Sequence, residues 1–143
     1  MSRDSYQLHV AISQRATRRR VVLMFERHWV EPVRSGRKVQ TLRPPRKWPA
    51  HVGDQLSLRH WGGRPGSSVK EVILTTQCTS VFDVVIDDGG MEIVTGAQAG
   101  KRLGTEQCAV FARRDGFASF EAMQKYFRER YGLPFSGTVI GWD

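Results

Sequence analysis

Apolar residues in this chain gather in short runs separated by turn residues, a pattern of many short strands with a few helices between them. Residues 21–25, compact and rich in β-branched side chains, are predicted as the first strand. Residues 28–35 read as a short helix that begins near Glu31, because Pro32 fits only a first turn, and Gly36 can close it in the left-handed conformation. The run from Gly36 to Arg43 then leads into a second strand that Pro44-Pro45 stops. Gly53-Asp54 turns into a strand over residues 55–60, and the glycine-rich stretch 62–66 makes the next connection. The longest alternation follows: Val72, Leu74, Thr76, Cys78, Ser80, Phe82, Val84 and Ile86 share one parity, against Glu71, Thr75, Gln77, Thr79, Asp83 and Asp87 on the other. That predicts one buried and one wetter face, with a bulge or break within residues 75–80 where so long a strand must bend. Asp88-Gly89-Gly90 reverses the chain into residues 91–94 as a hairpin.

The last third is helical. Thr105 is expected to cap a helix over residues 105–114, with Glu106 at its positive end and Arg113-Arg114 at its negative end, and Asp115-Gly116 ends it. Ser119 caps a second helix on which Phe120, Met123, Phe127 and Tyr131 recur at spacings of three and four, before the stop signals Gly132 and Pro134. Those aromatics are predicted to be core rather than a ligand surface. Residues 138–142 form a last strand in which Trp142 packs, whereas Trp48, among prolines and beside Arg46 and Lys47, is expected to be exposed.

At 143 residues the chain is read as a basic arm, 1–20, and one domain, 21–143. Five arginines with a single acid mark the arm, although Leu8, Val10 and Ile12 alternate and allow a short docked strand instead. The formal charge of +8 is lopsided: residues 1–64 hold 14 Lys/Arg against 4 Asp/Glu, and residues 65–143 hold 8 against 10. Such a field suits a polyanionic partner bound mainly by the first half. Cys78 and Cys108 lie 30 residues apart with no secretory signal before them, so they are read as free thiols of a soluble, cytoplasmic protein with no membrane association. No metal-ligand spacing links His9, His28, His51 and His60, no cofactor is expected, and the loop with Gly96, Gly100-Lys101 and Gly104 lacks both the spacing and the Ser/Thr of a phosphate-binding loop. No exposed apolar helix face argues for a protein-binding adaptor, and the chain is expected to be a monomer.

Candidate chemistry concentrates in Gly36 to Arg43. An offset of three puts Lys38 and Thr41 on opposite faces of a regular strand, so both can line one cleft only if Lys38 belongs to the turn. On residue type alone Lys38 is a phosphate ligand, a catalyst or a solvated cation; Thr41 is a nucleophile or a strand hydroxyl; Asp115 is an acid or a turn residue. Arg37, Arg43, Arg46 and Lys47, with Trp48 as a stacking surface, are candidate contacts to single-stranded RNA or a nucleotide.

The run Gly-x-Lys-x-x-Thr-x-Arg at 36–43 after a short helix resembles the signature loop of the ASCH domain family. Gly53-Asp54 with the strand after it, Asp115-Gly116-Phe117, Tyr126-Phe127, Tyr131-Gly132 and Gly137 to Trp142 follow in family-like order. The resemblance implies an α+β protein: a small PUA-like β-barrel with short flanking helices, a cleft beside the Gly-x-Lys loop, and RNA-linked function. Some members of that family are hydrolases, acetylcytidine amidohydrolase or ribonuclease. By that likeness Lys38 would activate Thr41, and Asp115 would stand where those members carry a glutamate, one methylene longer.

Overall fold

The computed structural model describes residues 19–62 and 70–143. The alternation at residues 8–12, nearly all of the basic arm and most of the 62–66 connection lie outside the described residues.

Among the described residues seven strands form two sheets. Val21, Leu23 and Phe25 of β1 (Arg20–Phe25) point inward, as the apolar run predicts. β1 pairs in parallel with β3 (Gln55–Trp61), which pairs antiparallel with β4 (Lys70–Gln77). The second sheet runs in the order β2 (Gln40–Arg43), β7 (Phe135–Gly141), β5 (Ser80–Asp87), β6 (Gly90–Ile93), all antiparallel, so the last strand sits between β2 and β5. The predicted α+β composition is present, but the ladders make two sheets, and among the described residues no closed barrel is found.

The predicted long alternation is two strands in two sheets. The chain crosses between them at Cys78-Thr79: Cys78 N donates to Asp54 O at 2.8 Å, and Thr79 N donates to Gly141 O at 2.8 Å. This is the break expected within residues 75–80. The single parity fails before it, because Ile73 is buried while Val72 and Leu74 are exposed. Among the described residues β4 is a sheet edge with one face on the core, and its own register, irregular opposite Leu58/Arg59, sets which residues turn inward. After the crossing the expected parity holds, with Val84 and Ile86 buried.

Two apolar clusters follow. Leu23, Leu56, Leu58, Ile73, Ile140 and Trp142 fill the space between the sheets. The other side of the four-stranded sheet carries Val84, Ile86 and Val139 against α2 (Thr105–Arg114) and α3 (Phe120–Tyr131). Gly104, rather than Thr105, is the N-cap of α2, and its N–H donates to Gln107 Oε1 at 3.0 Å. Ser119 caps α3 as predicted, accepting from Ala122 N at 3.1 Å. Met123 and Phe127 are buried, but Tyr131, expected in the core, is 53% exposed at the last turn. Both cysteines are free and buried. Among the described residues no helix is long and apolar enough to cross a membrane, and no group of three metal-ligating side chains occurs.

The Gly53-Asp54 turn is held by charge. Asp54 accepts from His51 N at 2.8 Å and from Arg19 Nη2 at 2.9 Å. Burial pushes its carboxyl upward, but these partners more than offset that and hold it below the ordinary carboxylate range. A carboxyl depressed on folding contributes stability that is present above the unfolded value, about pH 4, and is lost as the pH falls through the folded one. Asp54→Asn should therefore flatten the acid limb of a plot of melting temperature against pH. An acid limb as steep as that of the unmodified chain would show that this turn does not contribute to it.

Candidate functional site

The Gly-x-Lys loop is shaped by what precedes it. Arg27–Trp29 form a 3₁₀ turn that runs into α1 (Val30–Ser35), whose first turn accommodates Pro32. Gly36 closes α1 at φ 84°, as anticipated. Lys38 N then donates to Pro32 O at 2.9 Å and Val39 N to Arg114 O at 2.9 Å, which ties the loop to the end of α2. At that end Gly116 has φ 94°, and a Cβ there would stand 2.6 Å from the Trp29 ring, so only glycine lets α2 close down on the loop.

This closure buries Lys38. It belongs to the turn, as the spacing argument required, but its side chain is only 2% exposed. Nζ donates to Asp115 O at 2.6 Å, lies 3.4 Å from Asp115 Oδ2, and sits 4.4 Å from the centroid of the Trp29 ring. Gln40 Nε2 donates to Asp115 Oδ1 at 3.4 Å. Burial lowers the proton affinity of Lys38 against the pull of Asp115, and burial raises that of Asp115 against the pull of Lys38. The pair is thus a buried amine and carboxyl whose ionisation burial opposes and mutual attraction favours.

Thr41 faces elsewhere. Its Oγ1 accepts from Arg43 Nε at 3.3 Å, and Arg43 Nη2 donates to Met24 O at 2.6 Å. The guanidinium lies 4.6 Å from the Phe25 ring centroid, and burial, with the nearby charge of Arg46, brings its pKa down to about 10. Thr41 and Arg43 open on a pocket of about 180 Å³, whose other walls include Trp29, Tyr126, Arg130 and Tyr131. Glu26 is its one acid: it accepts from Arg130 Nη2 at 2.6 Å and from the Tyr126 hydroxyl at 3.2 Å. Lys38 does not line this pocket but shares with it the rings of Trp29 and Phe25.

The sequence candidates therefore fall into separate groups. Lys38 and Asp115 are together and inside; Thr41 and Arg43 are together at a pocket. Arg46, Lys47 and Trp48 are exposed on the proline-bounded segment beyond, Trp48 at 73%, and Arg37 is exposed and paired with Glu31. Trp29, Gln40 and Glu26 carry no periodic signal and are found only in the fold. Tyr126 and Arg130 do carry one, standing four apart on α3 beside Phe127 and Tyr131, a spacing that puts both on one helical face.

No protein-family profile matches the chain, and no curated protein sequence does either. Among solved structures, the fold matches the crystal structure of a serine-to-alanine mutant of ZmASCH from Zymomonas mobilis, with a TM-score of 0.50 and 17% identity over 88% of this chain and 68% of that one. The chain has an ASCH-like fold.

Proposed function

We propose that this ASCH-like domain binds single-stranded RNA, or a nucleotide, by taking one base into the pocket beside Thr41. The observation that carries the reading is that pocket's composition: a largely buried guanidinium, a threonine hydroxyl and the rings of Trp29, Tyr126 and Tyr131 around about 180 Å³. Drug-sized ligands occupy roughly 300–1,000 Å³, so a space this small suits one flat ring with the remainder of the ligand outside. Aromatic walls stack any base, cations at the rim meet the phosphate, and the net charge of +8 suits a polyanion. Lys38 and Asp115 here set the position of the loop and do not touch the ligand.

Affinity for single-stranded RNA should fall steeply with added salt. Tyr131→Ala should weaken it by about 1–3 kcal/mol, the usual worth of one stacked base. Fluorescence anisotropy on the full chain measures both, and RNA binding that is undetectable at low salt would end the reading.

A hydrolase acting on acetylated cytidine or on RNA is the second reading, favoured by the depressed proton affinity of Lys38 one ring away from the Thr41 pocket. Against it stands the Thr41 hydroxyl, which accepts from Arg43 and has no hydrogen bond from Lys38. If Thr41 is a nucleophile, Thr41→Val abolishes turnover and leaves affinity nearly intact, and Asp115→Glu raises turnover where reach is the limitation. Turnover that survives Thr41→Val rejects that nucleophile.

A further inference from the structure

Two more depressions follow the Thr41 pocket, one adjoining it and the next adjoining that one, and the residues they share put the three in a line. A cleft of about 570 Å³ shares Arg43 and Pro44 with the pocket. A third depression, of about 280 Å³, shares Arg46 and Pro49 with that cleft and nothing with the pocket. The segment 43–49 is thus a ridge along which all three open in chain order. Pro44, Pro45 and Pro49 fix their own φ angles, so the ridge is stiff before anything binds, which reduces the ordering a ligand must impose.

Charge is placed along this ridge at each junction. Arg43 stands between the first two spaces, and its Nη1 donates to none of the described residues. Arg46 stands between the second and third, its Nε donating to Trp48 O at 3.4 Å. Arg20 lines the third space and makes no ion pair among the described residues, whereas Arg19 there is committed to Asp54 at 2.9 Å. The floor of the cleft differs: Val81 and Val85 are apolar and half-buried, and Asp83 accepts from the Thr138 hydroxyl at 2.6 Å. A carboxylate on the floor repels phosphate, while apolar side chains accept the faces of bases. At the far end Trp48 is 73% exposed with Lys47 Nζ 5.7 Å from its ring centroid, an aromatic surface beside a cation with no packing role of its own.

We infer that the ridge is a track for a single strand of RNA several nucleotides long, with phosphates along Arg43 and Arg46, bases turned to the cleft floor, and a base stacked on Trp48. This rests on the pocket reading above and extends it from one nucleotide to a strand. An acidic peptide matches the cations but leaves the stacking surface and the flat pocket without a role.

The test titrates the full chain with cytidine mono-, di- and tetranucleotides of RNA, by competition against a labelled tetranucleotide. Affinity should rise from mono- to di- to tetranucleotide. Trp48→Ala should weaken the tetranucleotide by about 5-fold to 150-fold, the range for one stacked base, and leave the mononucleotide unchanged. Arg46→Gln should weaken the di- and tetranucleotide only. Both side chains are exposed, so circular dichroism should be unchanged and a failure to fold does not cloud the result. A tetranucleotide bound no tighter than the mononucleotide, or indifferent to Trp48→Ala, overturns the track while the pocket survives. No binding of any length overturns both, and poly-glutamate competing as well as the tetranucleotide shows a surface that reads charge alone and overturns the assignment to RNA.

Discussion

Replacing Lys38 by methionine should destabilise the protein by about 3–5 kcal/mol, the usual result of removing one member of a buried ion pair. The substitution leaves Asp115 inside, only 2% exposed, with Gln40 as its remaining side-chain donor, and it strands the Asp115 carbonyl that accepts from Nζ at 2.6 Å. Its pH dependence has a definite sign. The folded-state proton affinity of Asp115 is already raised by burial, and loss of the cation raises it further. A carboxyl raised on folding contributes stability that is full below its unfolded value and is lost as the pH rises through the folded one, so the variant should be most impaired near neutral pH and partly recover in acid. Adding Asp115→Asn removes the charge, and the double variant should be more stable than the two single losses added together, a coupling of about 0.5–3 kcal/mol. Urea midpoints for the four proteins close this cycle. Strict additivity would mean that the two side chains do not interact as their 3.4 Å separation requires.

Phe127→Ala should be comparably severe, about 3–5 kcal/mol, as expected for a large aromatic lost from a closed core. Phe127 is buried between α3 and the four-stranded sheet, with its ring 4.8 Å from that of Phe135 in a stacked arrangement and 5.2 Å from Tyr126. Glu129→Ala on the exposed side of the same helix should change stability by less than about 0.5 kcal/mol. Phe127 also supports one wall of the pocket, because Tyr131 stacks on it at 6.1 Å. The variant should therefore bind nucleotide less well even at temperatures where it remains folded. Coincident urea midpoints for the two variants would contradict the packing of α3 described above.

What could be read in advance was local. Pro32 with Gly36, Gly53-Asp54, Gly89-Gly90, Ser119 and Gly132 mark boundaries because each imposes or permits a particular backbone conformation on the spot. The run Gly36 to Arg43 likewise identified its own loop. Sheet membership was not legible between residues 72 and 86, since alternation reports that a segment is extended and says nothing about which neighbour it pairs with. The burial of Lys38 was illegible for a related reason. A lysine in a basic run reads as solvated, and only the approach of Trp29, Gln40 and Asp115, with Gly116 leaving room for it, takes the ammonium out of water. Tyr131 shows the converse, since a periodic stripe predicts the face of a helix but not where the partner surface ends.

The central place of β7 bears on how the molecule comes to be made. Among the described residues β2 has β7 as its single neighbour in the sheet, and β7 follows the other six strands in sequence. A polypeptide emerging from its N-terminus lays down residues 40–43 long before residues 135–141 exist to pair with them, and the contact between Lys38 and Asp115 spans 77 positions. Contacts so distant in sequence slow folding, because the intervening loop must be closed before they give anything back. Until then β2 is an open strand edge, and the Val39 carbonyl, which accepts from Trp142 N at 3.0 Å, lacks that anchor as well, so the run from Gly36 to Arg43 is fixed in its sheet only after residues 135–142 have been made.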